Sequence, residues 1–458
     1  MHNLLSNRNP KHFWQMTMKG IVALKNSSHI RENLWMPKLR LQNTSSDELN
    51  RPILAQELLH CASQTHSSLQ KKIALPLLAS TCLRLAGKIE SGTWKLGHFY
   101  RFVVLEPKPR EIFAPAYPDR LVQHWLIRQV NTAIDKQFIE DSFANRKGKG
   151  THAAVSRLQH FMRQPKHRYA ARIDIRSFYP SIHRPTLLSL WNHALRKVQL
   201  SEPRLKYVHQ LSSTLILNDP TSTNPILSGD RRLLQSIPTH KTLYHGKQDC
   251  GLPIGSLSSQ FFANVYLNPL DHFIKHQLKA KGYIRYVDDM VLLADDTATL
   301  RHWIQRIQDF LHSQLRLQLH PNKIHIQKTR QGLNVLGYVV YPHKLRLRRR
   351  SIASLRRYLA YFNHLLAPHS RQKILVPSKG RWLSWHQDGL LKPPIAPSLE
   401  LLRAMQATLN SYYGLMQSAD CLSLKIEIHR RDFLHLNRYF APADPMHTHL
   451  ILRAAYRR

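Results

Sequence analysis

Acidic residues are scarce in this chain. Its 458 residues include 28 Asp and Glu against 67 Lys and Arg, a formal charge of +39 with the histidines neutral. So large an imbalance attracts polyanions, and nucleic acid is the expected partner. The positive charge runs through every segment, which excludes a basic tail as its source. No amphipathic lysine-rich terminus suggests an anionic membrane surface instead. Cysteine is also rare: Cys61, Cys82, Cys250 and Cys421 include no close pair at metal-finger spacing. That excludes a zinc finger and a disulfide frame, and leaves free thiols in a reducing compartment. Long apolar runs are missing too. The first eight residues hold no apolar signal core, and the most apolar stretch, residues 73–86, is broken by Arg84 and too short to span a bilayer. The expectation is a cytoplasmic protein with no membrane partner. The 29 histidines never fall in a His-x-Glu or His-Glu-x-x-His order, so none is assigned to a metal.

Against this background the remaining carboxylates carry information. Tyr283-Ile284-Arg285-Tyr286-Val287-Asp288-Asp289-Met290-Val291-Leu292-Leu293 places two adjacent acids between apolar and β-branched residues, with no Gly, Pro or Asn to make a turn. The pattern predicts a β-hairpin whose tip holds charge. Two neighbouring carboxylates repel, and a buried pair needs a cation; hard carboxylate oxygens suit Mg²⁺. A solvated turn is the competing reading. Asp295 and Asp296 fit a plainer role at the start of a helix, where acids are favoured.

Helical periodicity covers residues 53–89, with Pro52 as a start signal and a polar linker around 43–50. Residues 99–114 read as two strands around a Pro-bracketed basic turn. A helix follows from Asp119, with Leu121, Val122, Trp125, Leu126 and Val130 on one face. Residues 169–183 form a strand leading into a turn and helix. Residues 199–247, polar and Pro-containing, read as an insertion or flexible finger. A long helix follows Ser258, another covers 297–319, and short strands return at 324–328 and 334–340. From Leu345 the chain is basic and helical, broken by a Pro/Gly/Trp-rich segment at 367–397. The expected divisions are an N-terminal helical extension (1–90), an α+β core (91–345) and a basic helical domain (346–458).

Three further elements accompany the hairpin. Asp174 ends an apolar strand, in Ala171-Arg172-Ile173-Asp174-Ile175-Arg176-Ser177-Phe178-Tyr179, where it could face a neighbouring hairpin tip or cap a helix. Residues 251–264 form a Gly-containing loop that opens a helix. Pro321-Asn322-Lys323 precedes Val335-Leu336-Gly337-Tyr338.

In this order and at these intervals, the four elements resemble the palm of a reverse transcriptase, and within that family the bacterial diversity-generating retroelement and retron-like group. The resemblance covers residues 92–345. It implies a right-hand polymerase with fingers, a palm built on an antiparallel sheet, and a helical thumb. It makes Asp174, Asp288 and Asp289 catalytic and, with the Ile175 carbonyl, ligands of two Mg²⁺ ions, with Mn²⁺ as a substitute. Asp288 is the principal ligand and Asp289 the supporting one. Two ions about 3.5–4 Å apart would activate the primer hydroxyl and hold the triphosphate. Lys108, Arg110, Tyr179, Ile254, Gly255, Gln260 and Lys323 become nucleotide-site residues, and Leu336, Gly337 and Tyr338 the primer grip. Lys108 and Arg110 also fit ordinary solvated cations. Tyr179 would exclude a 2′-hydroxyl and so favour deoxynucleotides, whereas Phe178 reads as core. Residues 101–112, 117–124 and 145–152 look like fingers motifs, and Lys323 would assist the leaving pyrophosphate.

One departure stands out. The wider family carries Gln-Gly, three residues, then Ser-Pro in this loop, where this chain has Ile254-Gly255 and Ser259-Gln260. Losing an amide beside the nascent pair would loosen base checking, so a low-fidelity enzyme is expected. The expected partners are an RNA template, a DNA or RNA primer, dNTPs and a basic accessory protein. Arg346, Arg348, Arg349 and Arg350 would grip phosphates, or simply end a strand in solvent. The alternatives are a retron-like antiphage-defence enzyme and a non-catalytic RNA-binding scaffold.

Overall fold

The computed structural model describes residues 46–64, 75–104, 108–366 and 397–456. The first 45 residues and nearly all of the expected break at 367–397 lie outside these; of the expected linker at 43–50, residues 46–50 are helical instead. In chain order the longer helices are α1 (Ser46–Gln64), α2 (Leu75–Glu90), α3 (Tyr117–Asp135), α4 (Thr151–Met162), α5 (Arg184–Leu195), α6 (Glu202–Leu217), α7 (Leu257–His272), α8 (Thr297–Leu315), α9 (Arg349–Leu366), α10 (Leu399–Met416) and α11 (Leu422–Asp432). The strands are β1 (Phe99–Val104), β2 (Arg110–Pro115), β3 (Tyr169–Asp174), β4 (Ile226–Leu227), β5 (Gly282–Tyr286), β6 (Asp289–Ala294), β7 (His325–Lys328), β8 (Leu333–Val335), β9 (Tyr338–Val340), β10 (Leu345–Leu347), β11 (Phe440–Pro442) and β12 (Leu450–Leu452). The chain forms two compact units, each assembled from separated stretches.

The first unit comprises the described residues within 46–139, 175–272 and 309–318. Its sheet has the order β2-β1-β4, with β1 and β2 antiparallel and β4 added in parallel. Helix α3 begins at Tyr117, two residues ahead of the expected start, because Pro118 with its fixed φ suits a first helical turn. All five residues expected on its apolar face are buried. Helix α1 likewise starts at Ser46, ahead of Pro52. The polar stretch 199–247 departs most from its reading as a flexible finger. It contains α6, whose Val208, Leu211, Leu215 and Ile216 are buried, and β4, which pairs with β1. Leu243 N–H donates to Glu111 Oε2 at 3.1 Å, and the Arg101 guanidinium lies 4.1 Å from the Tyr244 ring centre. Exposed polar residues dominate the segment, so its few anchors are easily missed in composition.

The second unit comprises the described residues within 140–174, 273–308 and 319–456. Its antiparallel sheet has the order β5-β6-β3-β7. Strands alternate faces with period two. The face carrying Ala170, Ile284, Val291 and Leu293 packs into one core with Leu158 and Phe161 of α4, Tyr338 and Val340 of β9, and Leu359, Leu409 and Phe440 farther along the chain. The basic helices α9 and α11 and the charge-balanced α10 dominate the C-terminal region. A two-stranded hairpin, β11–β12, accompanies them and had no signal in the sequence pattern. Its strands are three residues each, too short for alternation to register.

Candidate active site

The hairpin forms where the sequence placed it, and its turn is tight. Tyr286 pairs with Asp289, so only Val287 and Asp288 make the connection. Val287 has φ +56°, a left-handed conformation at the first central position, where two-residue hairpins favour glycine. A β-branched side chain there is strained by about 1–3 kcal/mol. Asp288 occupies the second turn position, and Asp289 is the first residue of β6.

Strand pairing then sets the carboxylates. Asp289 lies directly opposite Asp174 across β6 and β3, so the two side chains share one face. Asp174 is buried and half-buried Asp289 lies beside it at the strand ends. Each is held by a cation: Lys323 Nζ pairs with Asp174 Oδ2, and Arg172 Nη2 donates to Asp289 Oδ1 at 2.8 Å. Arg172 is two residues before Asp174 and therefore on the same face. Sequence reasoning passed over it, although that spacing was the signal. The strand end excludes the helix-cap reading of Asp174, while Asp296 does cap α8, accepting from Thr299 N–H at 2.7 Å.

Residues 336–338 adjoin a second hairpin. Leu336 (φ +50°) and Gly337 (φ +93°) are the turn between β8 and β9, and the fully buried Tyr338 side chain donates its hydroxyl to Leu415 O at 2.8 Å. Only the backbone of Tyr338 is therefore on offer at the turn. Arg348 closes this corner, its Nε donating to Tyr338 O at 3.3 Å and its backbone N–H to Gly337 O at 3.2 Å. Burial and the like charge of Arg172 lower the Arg348 pKa, with Asp289 opposing.

The remaining expected residues cluster in the first unit. Tyr179 follows Ser177, itself left-handed at φ +47°, and its ring meets buried Phe178 edge-on at 5.5 Å. Its carbonyl accepts from Leu252 N–H at 3.0 Å, and Ile182 O accepts from Gly251 N–H at 2.8 Å. The glycine loop is thereby tied to the Tyr179 turn. Ile254 O accepts from Phe113 N–H at 2.8 Å, and the Ile254 side chain packs on Phe102, Ile112 and Ala114. Gly255 has φ +115°, and a Cβ there would lie 2.6 Å from Ile112 Cγ2. Buried Gln123 accepts from Ser256 Oγ at 2.8 Å, so a residue of the 117–124 motif holds this loop. Gln260 is half-buried in the first turn of α7, while Lys108 and Arg110 are exposed before and at the start of β2.

Carboxylate oxygen donors sharing one face, one of them buried and each balanced by a cationic side chain, are a donor set that suits hard divalent ions. Among the described residues no three His, Cys, Asp or Glu side chains form a closed cage. One or two carboxylates completed by substrate phosphates is a common arrangement for Mg²⁺. The described helices include none long and apolar enough to cross a membrane.

Residues 107–340, just over half the chain, match the model of a family described as reverse transcriptase (RNA-dependent DNA polymerase). The group II intron-encoded protein LtrA of Lactococcus lactis subsp. cremoris is 22% identical, over 69% of this chain and 60% of its own length. The same protein of strain MG1363 matches equally. The chain thus spans about 60% of the length of these curated relatives. Among solved structures, apo telomerase from Candida tropicalis aligns at 12% identity and TM-score 0.39, over 75% of this chain and 62% of that one. Telomerase from Candida albicans with a fragment of telomeric RNA gives 11% and 0.35, over 76% and 59%.

Proposed function

Because the chain belongs to the reverse transcriptase family, we propose that it is an RNA-directed DNA polymerase that adds dNTPs to a DNA or RNA primer on an RNA template. The observation that carries this is Asp174 facing Asp289 across β3 and β6, beside the turn residue Asp288 and within the matched segment. In this reading Asp174, Asp288, Asp289 and the Ile175 carbonyl would hold two Mg²⁺ ions, or Mn²⁺ in their place. Such ions, when bound, lower the pKa of the attacking hydroxyl and neutralise the triphosphate.

The chain's own residues supply the rest. Strand pairing fixes Asp174 and Asp289 before substrate arrives, so little reorganisation opposes the reaction. Lys323 balances the buried Asp174 carboxylate, and its role toward pyrophosphate requires it to leave that partner. Lys108 and Arg110 bind the triphosphate, and Tyr179 selects against a 2′-hydroxyl. The Leu336–Gly337 turn supports the primer strand. Primer extension with dNTPs and with NTPs on an RNA template, comparing the natural chain with Asp288→Asn, tests the reading. Extension by NTPs alone would make it an RNA polymerase, and none by the natural chain would favour a binding scaffold.

For the biological setting we propose low-fidelity synthesis in a diversity-generating retroelement, with a basic accessory protein as partner. The Ile254 substitution supports it, since this apolar side chain packs on the β1–β2 hairpin where an amide would offer hydrogen bonds. Misincorporation measured at all four template bases decides it. Uniform accuracy at adenines would favour the retron-like, antiphage-defence alternative.

A further inference from the structure

Arg285 has no exposed surface, although it is a long cation on the strand that delivers the catalytic turn. Burying a guanidinium is costly unless its donors are satisfied. Two of its donors have specific targets: Nη1 donates to Val287 O at 3.0 Å, and Nη2 to Ser142 Oγ at 3.1 Å. The first target is the carbonyl of the strained turn residue. The second belongs to a strap beside the outer edge of β5. Arg285 N–H donates to Asp141 O at 2.9 Å, and Phe143 N–H donates to Arg285 O at 3.0 Å. The strap is itself fixed. The buried Asp141 carboxylate accepts from Arg157 at 2.7 Å and Lys275 at 2.8 Å, and Arg146 donates to Ser142 O at 2.8 Å.

A turn that glycine would make readily is thus made by valine and held from behind by a buried cation. We propose that Arg285 is a positioning residue. It holds the Val287 peptide in its left-handed conformation against the strap at 141–146, and so sets where Asp288 and Asp289 present their carboxylates. The inference rests on reading this hairpin as the catalytic one. It gives the strap, and Arg146 of the expected fingers motif, a role in bracing the hairpin.

The test uses four full-length forms: natural, Arg285→Met, Val287→Gly and the double variant. Arg285→Met should lower kcat about 30- to 100-fold, as expected for misplaced reacting groups, with primer–template Kd within about threefold and more divalent ion needed for half-maximal rate. Adding Val287→Gly should recover about tenfold, because glycine takes the turn without a clamp. A folded Arg285→Met with kcat within about twofold of natural, or a loss that Val287→Gly does not recover, overturns the proposal. Should Arg285→Met not fold, Ser142→Ala, which removes only the outer anchor, carries the same test with the same rescue. If the natural chain incorporates no nucleotide, the polymerase reading fails, and a second measurement decides the clamp. A Tm raised by Mn²⁺ in the natural chain and not in Arg285→Met supports it, and equal shifts overturn it.

Discussion

The carboxylate face of the second unit and the glycine loop of the first are both preorganised, by opposite means. On the carboxylate face, charge is held by charge: Lys323 on Asp174 and Arg172 on Asp289. The loop at 251–260 is held by backbone hydrogen bonds, one buried amide and apolar contact. Such a difference suits their proposed tasks. A face that handles phosphates and ions needs displaceable counter-charges, whereas a surface that gauges the shape of a base pair needs a fixed, neutral backbone.

Substitutions can break each side separately. Asp174→Asn should lose at least about 10³-fold in kcat with Tm little changed, since an amide keeps the shape and removes the charge. Primer extension and thermal melting check both halves. Gly255→Ala should fail in the reverse sense, through stability. Its φ of +115° and the 2.6 Å approach to Ile112 Cγ2 should cost about 2 kcal/mol, read from denaturant unfolding. Gln123→Ala should cost about 1–2 kcal/mol by removing the buried acceptor shared by the Ser256 hydroxyl and the Ser258 N–H, and should raise KM for dNTP more than it lowers kcat.

A pH measurement sharpens the contrast. In the loop's unit, burial raises the Asp119 pKa to about 6, opposed by the Gly97 N–H, His98 and Lys88. A folded pKa above the ordinary value means stability present at low pH and lost as pH rises through about 6. Asp119→Asn should therefore stabilise the chain by about 1–3 kcal/mol at pH 8, and the gain should shrink as pH falls from 6 toward 4. On the same helix, burial and Arg120 push His124 down to about 4, so its contribution is lost on acidification from 6.5 toward 4. Melting across pH 4–8 with each residue replaced separates the two.

Much of this was legible in the sequence, for identifiable reasons. The hairpin, the strand ending at Asp174 and the face of α3 follow from periodicity, and the fold class from their order. Three things were not. Register decides that Asp289 lies opposite Asp174, and pairing partners are long-range information. The anchors of 226–247 are single contacts in a polar stretch. Arg285 reads as one more cation among 67 Lys and Arg, and only its complete burial distinguishes it.

The shared core of the second unit has a consequence for how the molecule comes apart. Leu293 of β6, Leu359 of α9 and Phe440 of β11 belong to one apolar cluster, so the sheet bearing the carboxylates and the C-terminal helices should melt as a single cooperative body. Trimming the chain after Leu347 would strip the cover from Tyr338 and Val340, and the hairpin would lose its foundation. The described helices beyond Leu347 are, in that sense, the keel beneath the hairpin.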